Sequence, residues 1–133
     1  MTTITITIPR INEPWEGQGG IYAGIGRNVD GQMYHLILGP SAPEALTHKA
    51  ATEFAAAQNI DGHTDFTLPN RRDLSLLKAT LGETFRTDDW YWSSEQRAGD
   101  QDCAWAQGFR DGFQGSWSKG VKYLGVAVRR VLI

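Results

Sequence analysis

Three shortages in this sequence each exclude a class of protein. Cys103 is the only cysteine among 133 residues, which excludes an internal disulfide and any multi-cysteine zinc or iron–sulfur site. Thirteen Lys and Arg against fifteen Asp and Glu give a net charge of −2, so direct nucleic-acid binding is not expected. No apolar stretch approaches the ~20 residues that cross a bilayer, and the first residues lack a signal-peptide pattern. We therefore expect neither a membrane segment nor secretion by a signal peptide.

The order of the sequence patterns predicts an α+β fold. A composition of 41% hydrophobic and 21% charged residues is typical of a globular protein, and the length suits one domain over residues 1–133. Strand patterns occupy residues 1–40, two helical patterns occupy residues 43–82, and strand patterns return over residues 90–132. Such segregation of strands and helices favours two helices packed on a twisted antiparallel sheet.

Three strands are predicted in the first forty residues. Isoleucine and threonine alternate over Thr2–Ile8, which is typical of a half-buried strand, and we expect it to pair with a C-terminal strand at Tyr123–Leu132. Two further strands, Ile21–Arg27 and Met33–Leu38, are joined by a segment with the Asp-Gly signal of a hairpin turn.

Two helices follow. The first is predicted to begin at Pro43, with an apolar face of Leu46, Ala50, Phe54 and Ala57. The second has Asn70 as N-cap and Asp73 in a capping-box position. Its expected buried face is Leu74, Leu77 and Leu81, and it ends at Gly82.

The C-terminal part is rich in aromatic residues and short turns. Four strands are predicted, over residues 90–94, 104–109, 113–118 and 123–132. We expect four of the aromatic residues to lie in the core: Trp90, Trp92, Trp105 and Phe109. For Phe113 and Trp117, which flank Gly115 beside turns, core and surface positions are both open.

Three motifs in order resemble those of the Lcl C-terminal domain-like family of bacterial and phage proteins. The first is DFTLPNRRDL at Asp65–Leu74, the second is YWSS at Tyr91–Ser94, and the third is VRRV at Val128–Val131. Between the last two, residues 104–112 match the family's spacing of a tryptophan, a phenylalanine and a glycine.

The resemblance implies a C-type-lectin-like fold and a binding module of phage or prophage origin. Two versions of that function are open. One is a virion or tail-associated receptor-binding domain that recognises a host protein or glycan. The other is a small protein in the host cytoplasm that binds and inhibits a host factor, such as a CRISPR-type defence system. The oligomeric state is not predicted by the sequence.

Neither a cofactor nor catalysis is predicted. His35, His48 and His63 form no HxH, HxxxH or HExxH spacing, so a zinc site is not expected. We expect Cys103 to be a buried, inert thiol, since no histidine lies near it in sequence to activate it. The related formylglycine-generating enzymes need several cysteines, so their activity is not carried over. Six acidic residues could supply oxygen ligands to calcium, but they lack the motifs of calcium-binding lectins and are expected to be solvated: Asp88, Asp89, Glu95, Asp100, Asp102 and Asp111.

Residues for partner binding are predicted in the loops between Glu95 and Tyr123, where aromatic and charged side chains accompany glycines. They are Arg97, Asp100, Asp102, Arg110, Phe113, Gln114, Trp117 and Lys119. A second candidate is Arg71 with Arg72, because cations are unfavourable at a helix N-terminus. Two explanations of this pair stay open: pairing with Asp65 or Asp73, and contact with an acidic partner.

Overall fold

The structure is a computed structural model that describes residues 7–133. A four-stranded antiparallel sheet has the order β1-β2-β3-β7, and a three-stranded antiparallel sheet has the order β4-β5-β6. The strands are β1 (Pro14–Trp15), β2 (Gly20–Arg27), β3 (Met33–Ser41), β4 (Trp90–Arg97), β5 (Asp100–Gly108), β6 (Gln114–Ser118) and β7 (Val126–Leu132). The helices are α1 (His48–Ala56) and α2 (Arg71–Leu81), the latter followed by a 3-10 turn at Gly82–Thr84. The predicted α+β class is confirmed, but the strands form two sheets rather than one.

Helix α2 begins where the sequence predicts. The Asn70 side chain accepts a hydrogen bond from the Asp73 N–H (2.8 Å), and the Asp73 carboxylate accepts one from the Asn70 N–H (3.0 Å). This reciprocal capping box satisfies two backbone donors that the helix itself leaves free. The predicted apolar face of α2 is also confirmed, since Leu74 and Leu77 are fully buried in the core against the four-stranded sheet.

The prediction for α1 is wrong at its start. The helix begins at His48 rather than Pro43, because the Thr47 side chain caps it by accepting from the Ala50 N–H (3.3 Å). Leu46 lies outside the helix, where its backbone exchanges hydrogen bonds of 2.7 and 2.9 Å with Tyr123. The fully buried face of α1 is Ala51 and Ala55 instead of the predicted stripe. These small side chains let α1 lie close against β7.

Trp92 lies in the core, as predicted, in one cluster with Ala51 and Ala55 of α1 and Ala127 of β7. Its ring is fully buried, and its Nε1–H donates to the Leu46 carbonyl (2.9 Å). Its backbone N–H donates to the carbonyl of Leu124 (2.9 Å). This hydrogen bond connects β4, in the three-stranded sheet, to the segment just before β7, in the four-stranded sheet. Phe109 is likewise buried, whereas Trp90 and Trp105 are only partly buried.

Two ion pairs join the DFTLPNRRDL segment to the last strand. The Arg129 Nε donates to the Asp65 carboxylate (2.8 Å), and Arg130 pairs with Asp73, which is fully buried. The hydrogen bond from Arg129 holds the pKa of Asp65 below its usual range. Asp65 and Asp73 are thus paired with arginines of β7, and the suggested pairing of Arg71 or Arg72 with them is wrong.

The prediction for the N-terminal strand falls mainly on residues 1–6, which lie outside the described part of the chain. Thr7 and Ile8 belong to no strand, and Ile8 is 49% exposed. Strand β7 pairs along one side with β3, and on its other side it exchanges two hydrogen bonds of 2.8 Å at Val128 with Thr67. In residues 7–133 no helix has the length and apolar character needed to cross a membrane.

Candidate functional site

The three histidines serve as hydrogen-bonding groups within the fold. His35 shares a 2.7 Å hydrogen bond with the Tyr22 hydroxyl, and His63 donates to the Gly17 carbonyl (2.7 Å). His48 donates to the Ser93 carbonyl (2.8 Å), and its burial lowers its pKa. Over the described ranges, His, Cys, Asp and Glu side chains form no group of three that is placed to hold a metal ion.

Cys103 differs from its prediction because it is partly exposed rather than buried. It lies in β5, and a hydrogen bond with the Asp100 carboxylate raises the pKa of the thiol. A raised pKa keeps the thiol protonated, which makes it a poor nucleophile.

The six acidic residues considered as calcium ligands act mainly as local acceptors. Asp89, Asp100 and Asp111 accept from the N–H of Trp90 (2.7 Å), Asp102 (3.0 Å) and Phe113 (3.0 Å), respectively. Asp88 pairs with Arg86 (2.9 Å), and Glu95 accepts from the backbone N–H of Arg71 (2.6 Å). These bonds fix turns and a helix start.

Four aromatic side chains form a continuous surface on the three-stranded sheet, which we call the aromatic surface: Trp90, Phe113, Trp117 and Tyr123. The Trp90 ring centroid lies 4.5 Å from that of Trp117 and 5.9 Å from that of Phe113, and Trp117 lies 5.7 Å from Tyr123. Phe113 is 59% exposed, and the other three are partly buried. These rings therefore present an apolar area to solvent while resting on the core.

Two glycines explain why the tryptophan rings lie flat on the sheet. A Cβ on Gly115 would lie 2.6 Å from the Trp117 ring, and one on Gly108 would lie 3.3 Å from the Trp90 ring. Gly115 lies within the regular strand β6, and its missing side chain leaves the space that the Trp117 ring fills.

A shallow pocket of about 390 Å³ opens beside the aromatic surface. Trp90 and Phe113 line one part of it, and Arg110 with several aspartates lines the rest. Arg110 is exposed, as the sequence predicts for a partner-binding residue. The pocket therefore combines aromatic faces with charged groups of both signs, which suits a polar ligand that also has an apolar side.

The remaining predicted residues lie in two other places. Arg97, Asp100 and Asp102 are at the turn between β4 and β5, and Lys119 donates to the Gln96 side chain near them (2.8 Å). Gln114 lies on the opposite face of β6 from Trp117, where its side chain accepts from the Arg71 Nε (2.9 Å).

Arg71 and Arg72 line a larger groove of about 830 Å³ between α2 and the end of β2. The Arg71 guanidinium stacks on Trp105, with its Cζ 3.6 Å from the ring centroid. Arg72 is exposed, and the one hydrogen bond that its side chain makes to a described residue is a long contact of 3.5 Å to the Arg27 carbonyl. The groove and the aromatic surface are separate sites.

Sequence reasoning missed two members of the aromatic surface. Trp90 was assigned to the core and Tyr123 to a strand, yet both contribute partly exposed rings next to Trp117. Gly108 lies opposite Trp90 across β4 and β5 and leaves room for its ring, but this pairing joins two strands and no local spacing in the sequence signals it.

No protein-family model matches the chain, and comparison with curated proteins found no match.

Proposed function

We propose that this protein is a non-catalytic binding module that recognises a host protein or a glycan through the aromatic surface. The observation that carries the proposal is the exposure of Phe113 beside Trp90 and Trp117, with Arg110 at the margin. Binding energy at protein surfaces is concentrated in a few Trp, Tyr and Arg side chains surrounded by polar groups. This surface has that composition.

The rigidity of the surface supports the same proposal. The rings of Trp117 and Trp90 lie over Gly115 and Gly108 and pack against each other and against Tyr123. These contacts order both rings in the free protein. Preorganised aromatic side chains lose little conformational entropy on binding.

The motif resemblance supports a phage or prophage origin and a C-type-lectin-like fold as part of the proposal. On this account the module is virion- or tail-associated and recognises a receptor on the host surface.

A second version, an inhibitor of a host factor inside the cell, is favoured by one observation. Cys103 is a free and partly exposed thiol, which suits a reducing compartment better than an oxidising one.

The test is capture of partners by the immobilised full-length protein from a glycan array and, separately, from host lysate. Phe113→Ala removes the exposed ring, and Leu132→Ala is the matched control because Leu132 is 67% exposed on the other sheet. We expect a partner that the wild type and Leu132→Ala retain and Phe113→Ala loses. A partner retained equally by all three proteins would exclude the aromatic surface. A glycan would favour the receptor-binding version, and an intracellular host protein would favour the inhibitor version.

A further inference from the structure

The outer edge of β2 is covered along only part of its length. Strand β1 pairs with Gly20 and Ile21, and the backbone of Asn12 and Glu13 continues the cover to Tyr22. The Thr80 hydroxyl then donates to the Ala23 carbonyl (2.7 Å). Within the described part of the chain the cover ends there.

Beyond Ala23, some backbone N–H and C=O groups of β2 point toward its open edge, away from β3. Arg27 is paired with Met33, and the Met33 carbonyl accepts from the Ile133 N–H on the β7 side (3.2 Å). In a non-hydrogen-bonded pair of an antiparallel ladder, the backbone N–H and C=O groups of both residues point away from the partner strand. The N–H and C=O of Ile25 and Arg27 therefore face the outer edge, where the Arg72 contact of 3.5 Å to the Arg27 carbonyl is the sole hydrogen bond among the described residues.

This open edge forms one wall of the 830 Å³ groove, and the first turns of α2 form the other. Ser75 and Leu76 lie along the helix wall, and Ile25, 48% exposed, and Val29, 88% exposed, lie along the strand wall. An exposed strand edge beside a helix is the arrangement in which an extended peptide adds to a sheet as a further strand.

The charges in the groove indicate the chemistry of the peptide. Its carboxylates are already engaged with backbone donors: Asp30 accepts from the Gln32 N–H (2.9 Å), and Glu95 accepts from the Arg71 N–H (2.6 Å). The terminal guanidinium nitrogens of Arg71, by contrast, have no hydrogen-bond partner among residues 7–133, and Arg72 has only its long contact. Stacking on Trp105 holds the Arg71 guanidinium in place. The groove thus offers an anionic group the ordered guanidinium of Arg71 and, beside it, the exposed guanidinium of Arg72.

We propose that this groove binds an extended acidic peptide, which adds as a strand to the β2 edge at Ile25 and Arg27 and places carboxylates against Arg71 and Arg72. The site is distinct from the aromatic surface and does not depend on its partner.

The test uses fluorescein-labelled pentapeptides in which glutamate alternates with valine, with glutamine and lysine versions as controls. Binding to the full-length protein is followed by fluorescence anisotropy, and amide hydrogen exchange is measured at residues 25 and 27. We expect the glutamate peptide to bind about fivefold or more tightly than the glutamine peptide, more weakly at high salt, and with slowed exchange of both amides.

Two changes separate strand addition from simple charge attraction. N-methylation of the central peptide nitrogens is expected to abolish binding, since it removes donors to the strand edge while keeping the charge. In the protein, Arg72→Gln is expected to weaken binding about threefold or more, whereas Lys49→Gln on α1 is the matched control and leaves binding unchanged.

Several results would overturn the proposal. Equal binding of the lysine peptide would exclude an acidic ligand, and equal binding of the N-methylated peptide would exclude strand addition. Slow exchange of the Ile25 and Arg27 amides in the free protein would show that the edge is already occupied, by the first residues of the chain or by a second copy.

Discussion

Replacing Asp73 with Ala is expected to lower the free energy of unfolding by about 3–5 kcal/mol, because it leaves a largely buried arginine without its counter-charge. Asp73 is fully buried and accepts from the Tyr34 hydroxyl, the Asn70 N–H and Arg130. The Arg130 Nε has no hydrogen-bond partner among the described residues, so this guanidinium depends on Thr67 for one hydrogen bond and on Asp73 for its counter-charge. Loss of the cap at Asn70 alone would cost about 1 kcal/mol.

The measurement is urea unfolding followed by fluorescence of the five tryptophans, with a common m-value confirming that the variants unfold alike. Asp88→Ala is the control, since the Arg86–Asp88 pair is exposed and solvent-screened, and we expect its loss to leave the unfolding midpoint nearly unchanged. Adding Arg130→Met to Asp73→Ala is expected to restore part of the loss by removing the uncompensated charge. Equal unfolding midpoints for Asp73→Ala and Asp88→Ala would refute this reasoning.

Three further outcomes follow from the packing. Trp92→Ala is expected to cost about 3–5 kcal/mol in the same urea assay, because its ring is fully buried and its Nε1–H bonds to Leu46; an unshifted midpoint would contradict the packing. Trp117→Ala is expected to cost about 1–3 kcal/mol in the same assay, because its ring is partly buried beside Trp90. Burial lowers the pKa of His48, so the folded state disfavours its protonation, and stability should fall as the pH drops below about 6.5. Urea midpoints between pH 7 and pH 5 test this, and His48→Gln should lose less stability over that range than the wild type.

The elements that the sequence predicted well are those whose signals are local. The capping box at Asn70 and Asp73 lies within four residues, and the leucines of α2 recur at helical spacing. The β2–β3 hairpin was likewise predicted from its turn residues and flanking strands. The start of α1 was missed because the backbone of Leu46 is engaged by Tyr123, far along the chain.

The candidate site was predictable only in part for the same reason. Phe113 and Trp117 lie two positions either side of Gly115, and the sequence named both as candidate partner-binding residues while leaving core and surface positions open. Trp90 joins them from another strand, and no local spacing predicts that contact. One of the two explanations left open for Arg71 and Arg72, pairing with Asp65 or Asp73, was wrong because Arg129 and Arg130 reach these carboxylates from the last strand.

The most direct test of the central claim is the affinity of the captured partner for Phe113→Ala, measured by titration calorimetry beside the wild type and Leu132→Ala. Because Phe113 is 59% exposed, its removal should leave the melting temperature nearly unchanged. Binding through the aromatic surface predicts that Phe113→Ala raises Kd by about tenfold or more, which corresponds to about 1.4 kcal/mol, while Leu132→Ala binds like the wild type. An unchanged Kd for Phe113→Ala would contradict the account.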